Sequence, residues 1–295
     1  MSGSRSVGTG PTTREHKTSQ AHMGAPLPYR LFDMHCHLDL MSNADEVASD
    51  AAARGIAIFD TTVTPNDAAT TRAKFAHDEN VRVGAGLHPW WLADGRCDEQ
   101  DAAKTALAAA QSRFVGEIGL DFSPRYQESR TLQTEALDLI LRSCAERPHE
   151  GRVISLHAVR SAGTVLDILE RYDLTRSASC IFHWFSGTSD ELARARKMGC
   201  FFSINPHMLA SKKGREYARQ IPTERLLLET DAPPELGAPY TADALEASLV
   251  ATLVQLTDLR SSNHDELAAQ IAATSARLLG FSCDWKNVGE TKSLP

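Results

Sequence analysis

Eight short apolar or β-branched runs that end in polar residues, with amphipathic helical patterns between most of them, predict an α/β fold: a single TIM (β/α)8 barrel. From residue 35 to residue 229 the runs recur about every 28 residues, a sensible length for one strand and its crossover helix. No linker-like shift in composition interrupts residues 31–280. The barrel is therefore expected over residues 30–282, with residues 1–29 as a disordered extension and 283–295 as a tail.

The runs are LFDMHCHL (31–38), GIAIFDTTVT (55–64), VRVGAGLHP (81–89), FVGEIGLD (114–121), VISLHAV (153–159), SCIFHWFS (179–186), CFFSIN (200–205) and LLLETDAP (226–233). Between the fourth and fifth, residues 131–146 place Leu132, Ala136, Leu139, Ile140 and Cys144 on one helical face. Thr188 with Glu191 and Asn263 with Glu266 read as capping boxes, and Gly55 and Gly199 stand where helices end.

A formal charge of -7 argues against a protein that coats nucleic acid, because such proteins carry excess Lys and Arg. It leaves open an enzyme that meets phosphates through metals. The six cysteines form no CxxC pair, so neither a zinc ribbon nor a disulfide framework is indicated, and a reducing, cytoplasmic setting follows. No run of 18 apolar residues marks a membrane span. The leader is Ser/Thr/Gly-rich and lacks the apolar core of a signal peptide; a transit peptide or vector-derived sequence is the alternative to plain disorder.

Of eleven histidines, His35, His37, His88, His157 and His183 fall at or near the ends of predicted strands, as do Glu117 and Asp231. In a barrel every strand's C-terminal end opens on one face, so these residues converge. His35 and His37, two apart on a strand, point to the same side, with Cys36 opposite. Alone, the pair also reads as two hydrogen-bonded core histidines; further strand-end histidines and carboxylates favour a metal site. Mixed His and carboxylate ligands suit Zn, Mn, Co or partly hydrated Mg, and six ligands, His35, His37, Glu117, His157, His183 and Asp231, suit two ions that activate water.

The ordered series DMHCHLD, GLHP, GEIGLD, LHAVR, HWFSG and ETDAP resembles the TatD-like metal-dependent nucleases over roughly residues 31–280. The details GEIGLDFSP, LHAVRSAG, HWFSGT and FSINPHMLASKKG resemble the TatD-like component of Qat anti-phage defence systems. The resemblance implies a barrel of the metallo-dependent hydrolase type that cleaves phosphodiester bonds in DNA or a nucleotide-like substrate, with other proteins of a defence operon as partners. It implies one metal on His35, His37, Glu117 and Asp231, with Glu117 bridging to a second on His157 and His183. Glu117 and Asp231 are then the catalytic carboxylates, Asp231 orienting or deprotonating the attacking water. His88 would contact substrate phosphate or a water in the pocket, or else serve as a turn residue before Pro89.

Three departures from the family pattern follow, the first two bearing on substrate and the third read as structural drift. Val159 stands where the family commonly has Arg, and Arg160 follows one place later as the candidate phosphate contact. PPELGAPYTADAL (233–245) replaces the usual Gly-Lys-Arg-Asn segment, and TSARLL (274–279) lacks a common Asn. Trp90, Trp91 and Trp184 either stack on unpaired bases or pack the rim. Lys212, Lys213 and Arg215 are read as a solvated helix start, and His207 is left outside the metal set. Amide or ester hydrolysis by the same barrel type, or a non-catalytic platform subunit, are the alternative functions; Glu117 in place of a bridging Lys weighs against one form of the former.

Overall fold

The computed structural model describes residues 27–281. Most of the predicted N-terminal extension, the C-terminal tail and Cys283 lie outside the described residues. Within them the strands are β1 (Leu31–Cys36), β2 (Ile56–Asp60), β3 (Val81–Val83), β4 (Ala85–Leu87), β5 (Phe114–Asp121), β6 (Arg152–Val159), β7 (Ala178–His183), β8 (Phe201–Ile204) and β9 (Leu226–Leu228). All pair in parallel, as β1-β2-β3 and β4 through β9 in sequence order. Helices alternate with them, and two more, Ala242–Arg260 and His264–Leu279, follow β9.

The single strand expected over 81–89 is two pieces, because the chain changes partner at Gly84: β3 pairs with β2 and β4 with β5. Backbone bonds carry the sheet across this junction, Gly84 N to Asp60 O at 2.8 Å and Glu117 N to Thr62 O at 2.9 Å. The run LLLETDAP is a strand only over its three leucines. Glu229 N still bonds to Ile204 O at 3.0 Å, and the chain then turns to β1, with Asp231 N to His35 O at 3.0 Å and His37 N to Ala232 O at 2.8 Å, so the last strand lies beside the first as a barrel requires.

Phe32, Met34, Ala57, Phe59, Val153, Ile181, Phe201 and Leu227 pack together with Ala276, Leu278 and Leu279 of the last helix. Leu31 and Cys36 join the other core cluster, between strands and helices. The change of parity along β1 follows from a register shift between Asp33 and Cys36: a bulge there sends His35 and His37 inward at the C-terminal end while Cys36 turns out. The helix expected over 131–146 spans Arg130–Glu146, and its buried stripe runs through Ala136, Leu137, Ile140, Leu141 and Cys144. Thr188 and Glu191 form the reciprocal cap expected of them. The cysteines of the described residues are free and buried.

Gly119, in GEIGLD, sits against the β6 backbone. A Cβ there would stand 2.0 Å from His157 O, and φ is +154°. Gly119→Ala is therefore expected to cost at least about 2 kcal/mol in urea unfolding, since the neighbour is backbone and cannot yield. A variant within about 0.5 kcal/mol of the parent would show that the strands separate freely.

Candidate metal centre

Six strand ends deliver the predicted residues to one place. Glu117, 1% exposed, stands in the middle. Its Oε2 lies 3.2 Å from His35 Nε2 and 3.4 Å from His37 Nε2. Its Oε1 lies 2.7 Å from His157 Nδ1, 2.9 Å from His183 Nε2 and 3.3 Å from His88 Nε2. Asp231 Oδ1 completes the first side, 3.6 Å from His35 Nε2 and 3.4 Å from His37 Nε2. The carboxylate thus offers one oxygen to each of two groups of imidazoles.

Donor spacing tests whether a cation fits. A tetrahedral ion with bonds of about 2.0–2.1 Å places its ligand atoms roughly 3.3–3.4 Å apart. Four separations among His35, His37, Glu117 Oε2 and Asp231, 3.2 to 3.6 Å, match that spacing. The second group is tighter, with His157 Nδ1 and His183 Nε2 3.2 Å apart. Among the described residues, three groups bring potential ligand atoms within 4.8 Å of one another: His35 with Glu117 and His183, His35 with His37 and Asp231, and His88 with Glu117 and His157.

The far ring atoms show which nitrogen each histidine offers. His37 Nδ1 donates to Thr61 O at 2.6 Å, and His35 Nδ1 meets Ser155 Oγ at 2.8 Å, leaving both Nε2 atoms for the site. His183 Nδ1 and His157 Nε2 are buried without a hydrogen-bond partner and face Glu229 Oε1 at 3.7 Å and Asp121 Oδ2 at 3.6 Å. His88 differs. Its Nδ1 accepts from Trp90 N at 3.1 Å, so its Nε2 carries the proton and points it at Glu117. His88 is therefore both the cap of its helix and a donor into the pocket, and its tautomer sets it apart from the ligands.

Charge follows this arrangement. Burial opposes ionisation of Glu117, but His88, His183, His35 and His157 hold it well below the usual carboxylate range. Burial likewise opposes charge on His37, yet Asp231 and Glu117 carry it up to about 10; against the same opposition His157 is raised by Asp121 and Glu117, and His183 by Glu117 and Glu229. Burial lowers His35 to about 3, with His183 beside it.

Asp121 and Glu229 were not singled out from sequence. Glu229 accepts from Asn205 Nδ2 at 2.8 Å, from Trp184 N at 3.2 Å and from Ser203 Oγ, which fixes it behind His183. Asp121 accepts from Trp90 Nε1 at 2.7 Å behind His157. Their positions in GEIGLD and ETDAP, at the same strand ends as the ligands, were the available signal. Arg160 is exposed with a left-handed φ of 55° and makes no ion pair among the described residues. Lys213 donates to Ser186 O at 2.9 Å and Arg215 to Leu209 O at 2.8 Å, in keeping with a helix start.

The profile of TatD related DNases matches residues 32–280. The chain belongs to the TatD related DNase family. It is accordingly a metal-dependent hydrolase. The 3'-5' ssDNA/RNA exonuclease TatD of Citrobacter rodentium is 26% identical over 264 residues, covering 85% of this chain and 98% of that protein. Among solved structures, YJJV, a TatD homolog from Escherichia coli, superposes with a TM-score of 0.68 at 24% identity, covering 85% of this chain and 98% of that one. A TatD family hydrolase from Entamoeba histolytica gives 0.70 at 17% identity, with 86% and 99% covered. These neighbours share the barrel. No helix among the described residues is long and apolar enough to cross a membrane.

Because His37, His157 and His183 are raised, metal uptake at neutral pH must expel protons from the cluster. Calorimetric titration at pH 7 is expected to show an enthalpy that depends on the buffer's ionisation enthalpy, with proton release from His37 shrinking toward pH 10. A buffer-independent enthalpy at pH 7 would contradict the charge state described.

Proposed function

We propose that this protein is a two-metal nuclease that hydrolyses phosphodiester bonds of single-stranded DNA or RNA. The observation that carries the reading is Glu117, whose two oxygens each face a separate set of imidazoles. His35, His37, Glu117 and Asp231 would hold one ion and Glu117, His157 and His183 the other. When bound, such ions activate water and neutralise charge on phosphoryl oxygens.

The chain's own residues supply the rest. Asp231 is the site carboxylate that reaches solvent, with its side chain 22% exposed against 1% for Glu117. Burial would raise it, but His37, His183 and His35 keep it ionised, so it is able to orient an incoming water and take its proton. His88, whose N–H points at Glu117, lines the pocket beside the phosphate, and Arg160, at the end of β6, offers a cation to the strand that enters. The relative named above as an ssDNA/RNA exonuclease supports the substrate class. The sequence details shared with Qat components support a role in anti-phage defence with operon partners.

Metal-loaded protein is expected to degrade end-labelled single-stranded DNA, to lose activity on chelation, and to fall by about 10²–10⁴-fold in Asp231→Asn, the range for loss of a positioned general base. Inertness toward DNA and RNA at full metal occupancy, or turnover of esters and amides in their place, would contradict the proposal.

A further inference from the structure

Two large aromatic side chains remain open to solvent at the mouth, Trp90 at 40% and Trp184 at 38% exposed. An indole carries a large apolar face, so one held open to solvent beside a reaction centre has area to offer a ligand. Each follows a histidine of the site: Trp90 comes two residues after His88, and Trp184 directly after His183. Strand order sets the ends of β4 and β7 three strands apart, so the two indoles stand across the mouth with the ligand cluster between them.

They are held differently. Trp90 is tied by its Nε1 to Asp121, and its ring lies 4.8 Å from that of His88 and 6.0 Å from that of His157, so it belongs to the support of the site. Trp184 has no such bond from its ring. Its backbone is left-handed, φ 38°, with its N–H donating to Glu229, and its indole stacks on the exposed His207 with centroids 5.1 Å apart at 20°. A flat, ordered, solvent-facing pair beside a phosphoryl-transfer centre is suited to the face of a nucleobase. Electrostatics points the same way: the chain carries a net charge of -7, and Lys213 and Arg215 beside this rim are turned to backbone carbonyls.

Resting on the nuclease reading above, we propose that Trp184, backed by His207, is a base-stacking subsite that takes an unpaired base next to the phosphate being cleaved. A paired base has its faces covered by its neighbours, so this contact selects single strands and frayed ends.

The test is competition, in one reaction with metal-loaded protein, between a short single-stranded DNA and its counterpart with abasic sites at the two nucleotides of the attacked end. Wild type is expected to favour the base-bearing strand by about 5- to 150-fold in kcat/KM, the range for one stacked base. Trp184→Ala should bring the ratio to within about twofold of unity, Trp184→Phe should keep most of it, and His207→Ala should lower it in part. A ratio unchanged in Trp184→Ala, including a proportional loss on both substrates, overturns the proposal. So does a wild type that cleaves both strands equally, whereas a wild type that cleaves neither removes the nuclease reading itself.

Discussion

A carboxylate that is 1% exposed cannot stand as an isolated charge inside a protein; its desolvation would cost several kcal/mol or more unless positive charge surrounds it. Glu117 meets this constraint with imidazoles from four other strand ends, and much of the fold's detail serves to bring them there. The bulge in β1 turns two successive inward residues toward it. The close approach at Gly119 lets β6 set His157 against it. The departure of the chain from β9 after Leu228 lets Asp231 bond back to β1 and face both its histidines.

That centre is asymmetric in a way that assigns work. Buried histidines with a fixed far-side partner offer a defined nitrogen to a cation, whereas His88 spends its free lone pair on its own helix and keeps a proton for the pocket. The three left-handed residues at strand ends, Arg160, Trp184 and Asp231, all border this face. Such conformations cost of order 1–3 kcal/mol each and persist where surrounding structure imposes them, which is the behaviour expected of positions that aim side chains at a ligand.

Much of this was legible in the sequence. Strand-end position converts a list of histidines into a cluster, because the barrel gives every strand the same exit, and Glu117 gathers the other five expected ligands about it. What could not be read were features set by three-dimensional contact. The split of the third strand at Gly84 depends on a change of hydrogen-bond partner, and a period-2 pattern contains no record of which neighbour a strand pairs with. Asp121 and Glu229 looked like two more acidic residues; only the orientation of the rings in front of them shows that they back His157 and His183. His88 could be a turn residue or a pocket residue by sequence, and the geometry makes it both.

If Glu117 bridges two cations, anomalous diffraction from metal-soaked crystals will show two peaks, one among His35, His37 and Asp231 and one between His157 and His183, with a Glu117 oxygen on each. A single peak, or density away from Glu117, would rule the bridge out.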